Sequence, residues 1–462
     1  MKICILGGGG VRTVIFINGL LKRAGKLHID EVVLYDTDQP KLEIIGKLCQ
    51  YVVRREHGEI RVSYVNDPVE AIRGADYIVT TLRVGGDHAR VVDESIALRR
   101  GVIGQETTGV GGFSMAVRTI PVLLDYMELI QKYAPASIVF NFTNPSGLVT
   151  QALHSAGYDR VIGICDAPSS MKFRMAKYLN VPEDDLYVEF FGLNHLSWIR
   201  KVELSRAGEE REEISRKLLM DDNFLKGIQE LEVFDPAVIR ETGLLPNEYL
   251  FYYYHRERAL ENMLHAPKLR GETIEDVNRK MFQELESIDI EKDPETALQA
   301  FLWGMQLREN SYMTVESGGS TRPLASRGTL PIPEGMGYAG VMLDCIEGLQ
   351  SEQGRYLVLS VRNGGSLSCL QDDDVAELTC NVSKKGIVPV RQTDIPEICE
   401  TYIRLVKRYE RLTVEAVREN SAELARNALA LHPLVNSWSL AGQLLYDYRE
   451  AYGEVIPGGK RS

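Results

Sequence analysis

No stretch of the 462-residue chain approaches the roughly 20 consecutive apolar residues that a bilayer span requires. Met1-Lys2-Ile3-Cys4-Ile5-Leu6 runs straight into glycines, without the apolar segment and cleavage site of a secretory leader. Cysteine is sparse. The seven thiols (4, 49, 165, 345, 369, 380 and 399) are odd in number and unpaired in spacing, which argues against a disulfide framework and for a reducing compartment. Positive charge is in deficit, with 53 Lys and Arg against 65 Asp and Glu for a net charge of −12. Nucleic acid and anionic membranes are therefore excluded as natural partners, and an anionic small molecule would need a local cluster of Arg or Lys. Internal repeats and low-complexity tracts are also missing. What these absences leave is a soluble cytoplasmic protein.

Apolar residues make up 44% of the chain and charged residues 26%, enough for a large core. The length is about three times that of a usual domain, so two lobes or one large α/β body are expected. Strand-like runs occur at Lys2–Leu6, Glu31–Asp36, Ile60–Val65, Asp76–Leu82, Ser137–Phe142 and Arg160–Cys165, with helical patterns such as Lys41–Arg55 and Phe113–Ala134 between them. Apolar strands alternating with helices predict a parallel sheet covered on both faces. Beyond Cys165 the pattern changes. A helix is expected after Pro168, strands at Leu186–Leu193 and Ser197–Leu204, and charged helical sequence through much of 207–310. Glu316–Gly335 reads as a long surface loop, Tyr356–Asn363 and Val375–Val390 as β, and Pro396 to about Glu450 as helices. The residues from 456 to 462 read as a frayed tail.

Gly7-Gly8-Gly9-Gly10-Val11-Arg12 follows the first strand and opens a helix, where glycines let the backbone approach a pyrophosphate at the positive helix end. Arg12 replaces the third glycine of the usual fingerprint, and Asp36 closes the second strand, where a carboxylate can accept from a ribose. Without a ligand the same glycines would simply make a tight turn. Three further polar, glycine-bearing segments sit at strand ends or before helices: Arg83–Arg90, Gly104–Gly112 and Asn141–Gly147. Asn144, followed by Pro145, also has the makings of a helix cap. Convergence on one sheet edge is what lends these segments function.

Cys165 ends a strand, and His195 stands thirty residues on; such a separation is no zinc signature, and most such pairs are merely buried. If joined, they would offer one soft and one borderline ligand with positions left for substrate oxygens. Pro246–Tyr254 carries an aromatic cluster that also suits a core or interface stripe. A tyrosine base within it would need its ordinary pKa of about 10 lowered by a nearby cation or metal.

Taken together, Gly7–Thr13, Arg83-Val84-Gly85-Gly86 with Arg90, Gly104–Gly112, Asn144-Pro145, Cys165–Pro168, Phe191–His195, Pro246–Tyr254 and Arg270-Gly271-Glu272 resemble glycoside hydrolase family 4 over nearly the whole chain. The resemblance implies an N-terminal Rossmann-type NAD-binding domain over 1–168 and an α+β substrate, metal and oligomerisation domain over 169–455. The fold would be related to lactate and malate dehydrogenases. It implies NAD held by Gly7, Gly8, Gly9, Gly10, Val11, Arg12 and Asp36, and Mn²⁺ or another divalent ion held by Cys165 and His195. Tyr249 would remove the C2 proton, Asp166 would assist the leaving group, and Arg90, Asn144 and Arg270 would hold a phosphorylated sugar. The implied chemistry oxidises C3, removes the acidified C2 proton, eliminates the glycosidic oxygen, adds water and returns the hydride, in place of the usual carboxylate pair. Homodimers or homotetramers are the implied assemblies.

Two departures bear on specificity. Gly10-Val11-Arg12 stands where many phospho-sugar members have Ser followed by Thr or Tyr, so Arg12 becomes a candidate phosphate contact. Asp166 resembles the phospho-α-glucosidases, whereas Glu106–Phe113, Asn144–Gly147 and Leu245–Tyr254 look more like the phospho-β branch. The reading favoured is a 6-phospho-β-glucosidase, with the α-enzyme as the alternative. Two rivals remain: a 2-hydroxyacid dehydrogenase using His195 for acid–base work, and an idle NAD-binding scaffold.

Overall fold

The computed structural model describes residues 1–205, 211–319, 323–333 and 337–459. Six strands alternate with helices over the first 163 residues: β1 (Lys2–Leu6), β2 (Glu31–Tyr35), β3 (Arg61–Val65), β4 (Tyr77–Thr80), β5 (Ile138–Asn141) and β6 (Val161–Gly163). They pair in parallel in the order β3-β2-β1-β4-β5-β6, the doubly wound order that leaves a crevice beyond the carboxyl ends of β1 and β4. Helices α1 (Thr13–Leu21), α2 (Gln39–Arg55), α3 (Gly86–Arg99), α4 (Gly109–Tyr133), α5 (Ser146–Ser155) and α6 (Ala167–Leu179) belong to this half.

Helix starts fall earlier than the hydrophobic pattern predicts. In α2 the Asp38 side chain accepts from the Lys41 N–H and Pro40 occupies the first turn, so the helix begins at Gln39. In α4 the glycines are not loop. A Cβ at Gly111 would lie 2.1 Å from the Gln105 carbonyl oxygen, and one at Gly112 2.6 Å from that of Thr107. They are there so that the helix can rest directly on the Gln105–Thr107 backbone.

The second half contains a smaller antiparallel sheet of β7 (Leu186–Leu193), β8 (Leu196–Leu204), β9 (Glu212–Glu213) and β10 (Leu245–Pro246). Helices α7 (Arg270–Glu286), α8 (Pro294–Asn310) and α9 (Gly337–Gln350) follow. Next, β11 (Arg355–Arg362), β12 (Val375–Ser383) and β13 (Gly386–Pro389) extend the first sheet: β11 runs antiparallel to β6 through Ser360 and Gly163. Among the described residues the large sheet thus has nine strands, six parallel and three antiparallel, and crosses residue 168. The stretch Val375–Val390, read as β, is a hairpin that turns through Lys384-Lys385 into Gly386, which stands at φ +106°. Thr379 of β12 ties the two sheets, its hydroxyl receiving the Phe190 N–H at 2.8 Å and donating to the Val188 carbonyl at 3.2 Å.

Helices α10 (Glu397–Glu419), α11 (Ala422–Leu431) and α12 (Trp438–Tyr452) close over α3 and α4. Of the expected loop Glu316–Gly335, Glu316 and Ser317 lie in the short helix Thr314–Ser317, and residues 320–322 and 334–336 fall outside the described ones. The frayed tail is corrected in part. Ile456 is fully buried, the Gly458 N–H donates to Asn420 Oδ1 at 2.9 Å, and Asn420 Nδ2 donates to the Gly459 carbonyl at 3.1 Å. Residues 460–462 of that tail lie outside the described residues.

Candidate active site

The glycine turn closes the carboxyl end of β1. The N–H groups of Gly7 and Gly8 both reach the Tyr35 carbonyl, at 2.9 and 2.8 Å, Gly9 donates to Asp36 Oδ2 at 3.0 Å, and Gly10 donates to the Gly7 carbonyl at 3.0 Å. All four glycine donors therefore serve the turn itself, and the glycines contribute closeness. A Cβ on Gly7, at φ +93°, would sit 2.5 Å from the Thr81 carbonyl oxygen, and one on Gly8 2.7 Å from Leu34 Cβ. Val11 and Arg12 then lead into α1 at Thr13, whose positive end faces the crevice. Asp36 is committed in part: besides Gly9, it accepts from the Asp38 N–H at 3.1 Å.

Cys165 and His195 come together. Sγ lies 3.6 Å from Nε2, and both side chains are buried. Bonds of about 2.3 Å to sulfur and 2.1 Å to nitrogen, opened by roughly 90–110°, place two such donors about 3.1–3.6 Å apart, so the pair can share one ion. The imidazole donates to the Thr107 carbonyl, and burial pushes its pKa down to about 4, leaving a neutral ring. Burial pushes the Cys165 thiol up. Among the described residues the pair belongs to no group of three or more His, Cys, Asp or Glu side chains fit to hold an ion. Further positions on an ion would thus be open to substrate and water.

His195 occupies the turn between β7 and β8 at φ +63°, a backbone region that side chains seldom enter. Its neighbours hold it there. Asn194 Oδ1 accepts from the Gly147 N–H at 3.1 Å, and Asn194 Nδ2 and Ser197 Oγ donate to the two oxygens of Glu377, at 3.1 and 2.8 Å. Burial pushes the pKa of Glu377 up to about 7.

Tyr249 stacks on the imidazole, ring centroids 3.8 Å apart and planes within 17°. Burial pushes its phenol well above the ordinary value, and the nearby Cys165 and Glu248 act in the same direction. A role as base therefore calls for a cation beside it, as expected from sequence. Asn144 precedes Pro145, and its Oδ1 accepts from the Ser146 N–H at 3.3 Å, but the cap expected at Asn144 is corrected: Pro145 takes the N-cap position, ahead of the first turn, and no side chain caps the helix.

Guanidinium groups crowd the same cleft. Arg90 is buried, its Nε 2.7 Å from Glu94 and its Nη1 3.0 Å from Glu106. Arg83 meets the other Glu106 oxygen at 2.7 Å. Burial opposes ionisation of Glu106, but Arg83, Arg90 and Arg270 outweigh it and hold its carboxyl well below the usual range. Arg270 donates to Ser311 Oγ at 2.9 Å and lies 5.1 Å over the Tyr312 ring. Arg308 donates to Asn278 Oδ1 at 2.6 Å; burial, with Arg12, Arg83 and Arg90 nearby, pushes its pKa down to about 9. Arg12 pairs with Asp166 at 3.1 Å, so the two departures noted in the sequence touch each other.

Several of these groups were not singled out in the sequence. Glu106 lay within a quoted segment without a role. Arg308, Glu377 and Tyr312 carry no local signal, because only the tertiary fold brings them here.

A doubly wound sheet with a glycine turn, a buried sulfur–nitrogen pair and a basic cleft defines a nucleotide-binding enzyme for an anionic substrate. The sequence profile of the family 4 glycosyl hydrolases matches residues 2–181, and that of their C-terminal domain matches 190–435. A 6-phospho-beta-glucosidase from Thermotoga maritima is 31% identical, covering 99% of this chain and all of its own. A 6-phospho-alpha-glucosidase from Leptotrichia buccalis is 26% identical over 99% of this chain and 98% of its own. The Thermotoga maritima 6-phospho-beta glucosidase structure with manganese, NAD⁺ and glucose-6-phosphate superposes with a TM-score of 0.82 at 28% identity, covering 99% of this chain and all of that one. The chain belongs to glycosyl hydrolase family 4, and with that the dehydrogenase and scaffold readings fall away. No helix among the described residues is long and apolar enough to cross a membrane.

Proposed function

We propose that this chain hydrolyses 6-phospho-β-glucosides with NAD and Mn²⁺, or a similar divalent ion, as resident cofactors. The observation that carries the reading is the Cys165–His195 pair at 3.6 Å with the Tyr249 ring stacked on its imidazole. The greater identity to a phospho-β than to a phospho-α relative supports the anomer. Residues 1–168 would bind the dinucleotide through Gly7–Val11, the main chain of Arg12 and Asp36, and residues 169–455 would add the histidine, the tyrosine and the substrate arginine. When bound, the two cofactors supply reversible hydride exchange at C3 and polarisation of the C2 and C3 oxygens.

The chain's own residues do the rest. Tyr249 takes the C2 proton, whose loss expels the glycosidic oxygen; water then adds at C1. Asp166 stands next to Cys165, where a carboxyl can serve the departing oxygen, and its pairing with Arg12 holds it in place. Arg90, Asn144 and Arg270 hold the sugar and its 6-phosphate, within a cleft whose guanidinium groups offset the net negative charge of the chain. Arg12 adds a phosphate contact: Arg12→Ala should weaken 6-phospho-sugar affinity and spare NAD binding, and unchanged affinity dismisses the role. The reading carries with it a cytoplasmic location, in keeping with seven free, buried thiols, and assembly as a homodimer or homotetramer.

The second reading, a 6-phospho-α-glucosidase by the same route, rests on Asp166. Oxidation at C3 and deprotonation at C2 are indifferent to the configuration at C1, so the chemistry itself does not choose. Nitrophenyl 6-phospho-α- and β-glucosides and galactosides, assayed with NAD⁺ and Mn²⁺ each omitted after stripping, decide both points. Turnover of the β-glucoside should need both additions, with solvent deuterium appearing at C2 of the product. Hydrolysis that persists in the stripped protein overturns the mechanism, and preference for the α-glucoside overturns the anomer.

A further inference from the structure

Behind Tyr249 stands a second tyrosine that nothing above uses. Tyr312 follows α8, donates to Glu248 Oε1 at 3.2 Å, and is also hydrogen-bonded to the phenol of Tyr249. Glu248 is 4% exposed, and its Oε2 has no hydrogen-bond partner among the described residues. A carboxylate placed there costs desolvation that a neutral side chain would avoid, and among the described residues its hydrogen bond to Tyr312 is its one side-chain contact of that kind.

We infer that Tyr312, oriented by Glu248, is a positioning residue that holds the Tyr249 oxygen, as the phenolate, in line with the C2 proton it removes. A hydroxyl has one proton to give and lone pairs to receive with. The Tyr312 hydroxyl stands between two acceptors, Glu248 Oε1 and the Tyr249 oxygen; when Tyr249 is ionised to act as base, Tyr312 gives its one proton to that oxygen and holds it in place. His195 sets the plane of the Tyr249 ring by stacking, and the Tyr312 hydroxyl fixes the oxygen at its edge. The link also runs toward the substrate arginine. Arg270 lies over the Tyr312 ring and donates to Ser311, so the group assigned to hold substrate and the group that aims the base share one segment. The inference rests on the assignment of Tyr249 as base in the proposed function.

The test is Tyr312→Phe in the enzyme reconstituted with NAD⁺ and Mn²⁺, assayed on nitrophenyl 6-phospho-β-glucoside deuterated at C2 or at C3. A misaimed base should lower kcat about 10- to 100-fold with KM within about threefold, and should enlarge the C2 isotope effect while leaving the C3 effect unchanged. Glu248→Gln, which keeps an acceptor oxygen, should retain most of the activity, whereas Glu248→Ala should behave like Tyr312→Phe. A Tyr312→Phe enzyme within twofold of the parent in kcat and C2 exchange overturns the inference, as does an equal rise in both isotope effects. Tyr249→Phe, run alongside, separates the two ideas. If it abolishes C2 exchange while Tyr312→Phe does not, only the positioning role fails; if it leaves exchange intact, the base assignment fails and takes this inference with it.

Discussion

At the scale of single residues, the site depends on a backbone conformation that its chief side chain disfavours. A non-glycine residue at φ +63° costs on the order of 1 kcal/mol or more, and His195 has glycine's place in a tight β-turn. Asn194 is what makes this tenable: its amide joins the start of α5 at Gly147 to Glu377 of β12, clamping the turn from both sides. Asn194→Ala should therefore leave the donors chemically intact and loosen their placement. The expected loss is about 10- to 100-fold in Mn²⁺ affinity, as for partners that orient metal ligands elsewhere. Titration of the stripped protein with Mn²⁺ by calorimetry measures it. Unaltered affinity would mean that the turn keeps its shape without the amide.

At the scale of elements, the glycines of the first turn are unequal. Gly7 combines positive φ with a carbonyl 2.5 Å from where a Cβ would stand, whereas a Cβ on Gly10 would meet only the Gly7 carbonyl oxygen, at 3.1 Å. Gly7→Ala should cost about 2–4 kcal/mol of stability because β1, β4 and the turn must separate. Gly10→Ala should cost about 1 kcal/mol at most, and its effect should fall on NAD⁺ affinity. Denaturant midpoints paired with NAD⁺ titrations distinguish the two, and equal destabilisation would refute the argument. This turn was legible in the sequence because strand, glycines and helix are contiguous, and β1 and β7 were read to the residue for the same local reason. The three added strands were read as β as well, but their place in the first sheet was not. Nothing near Ser360 announces that β11 will pair with Gly163 nearly 200 residues earlier, and the hairpin turn inside Val375–Val390 was not read either. The tail misled by composition: Pro457-Gly458-Gly459 reads as loose, yet Asn420 ties it down and Ile456 is buried. Cys165, His195 and Tyr249 were legible through motif. Arg308 and Tyr312, at the end of α8 and just beyond it, depend on which face of that helix meets the cleft, and no local pattern shows that.

At the scale of the whole molecule, the C-terminal helices reach the site through packing. His432, at the end of α11, is 1% exposed, accepts the Leu434 N–H at Nδ1 and meets the Tyr409 ring edge-on at 4.6 Å. Tyr409 in turn donates to the carbonyl of Gly109, the first residue of α4, two residues from the Thr107 whose carbonyl receives the His195 imidazole. Burial pushes the pKa of His432 from 6.5 down to about 3, so the folded chain keeps this ring neutral where the unfolded chain protonates it. The contribution is present above pH 6.5 and is lost as pH falls toward 3, because only the unfolded state gains the proton. His154 and His195, both lowered to about 4, act with the same sign. For one such histidine the slope is up to about 1.4 kcal/mol per pH unit between about pH 6 and 4.5. His432→Asn keeps an acceptor for Leu434 and removes the titration. Its absolute stability will fall with the lost ring contacts, but its stability should decline less steeply with acid than the parent's, by up to that slope. Guanidinium denaturation at half-unit steps of pH measures the difference. Parallel pH curves for the two proteins would mean that His432 is protonated in the folded state, and that acid acts on this molecule by a route other than the layer over α4.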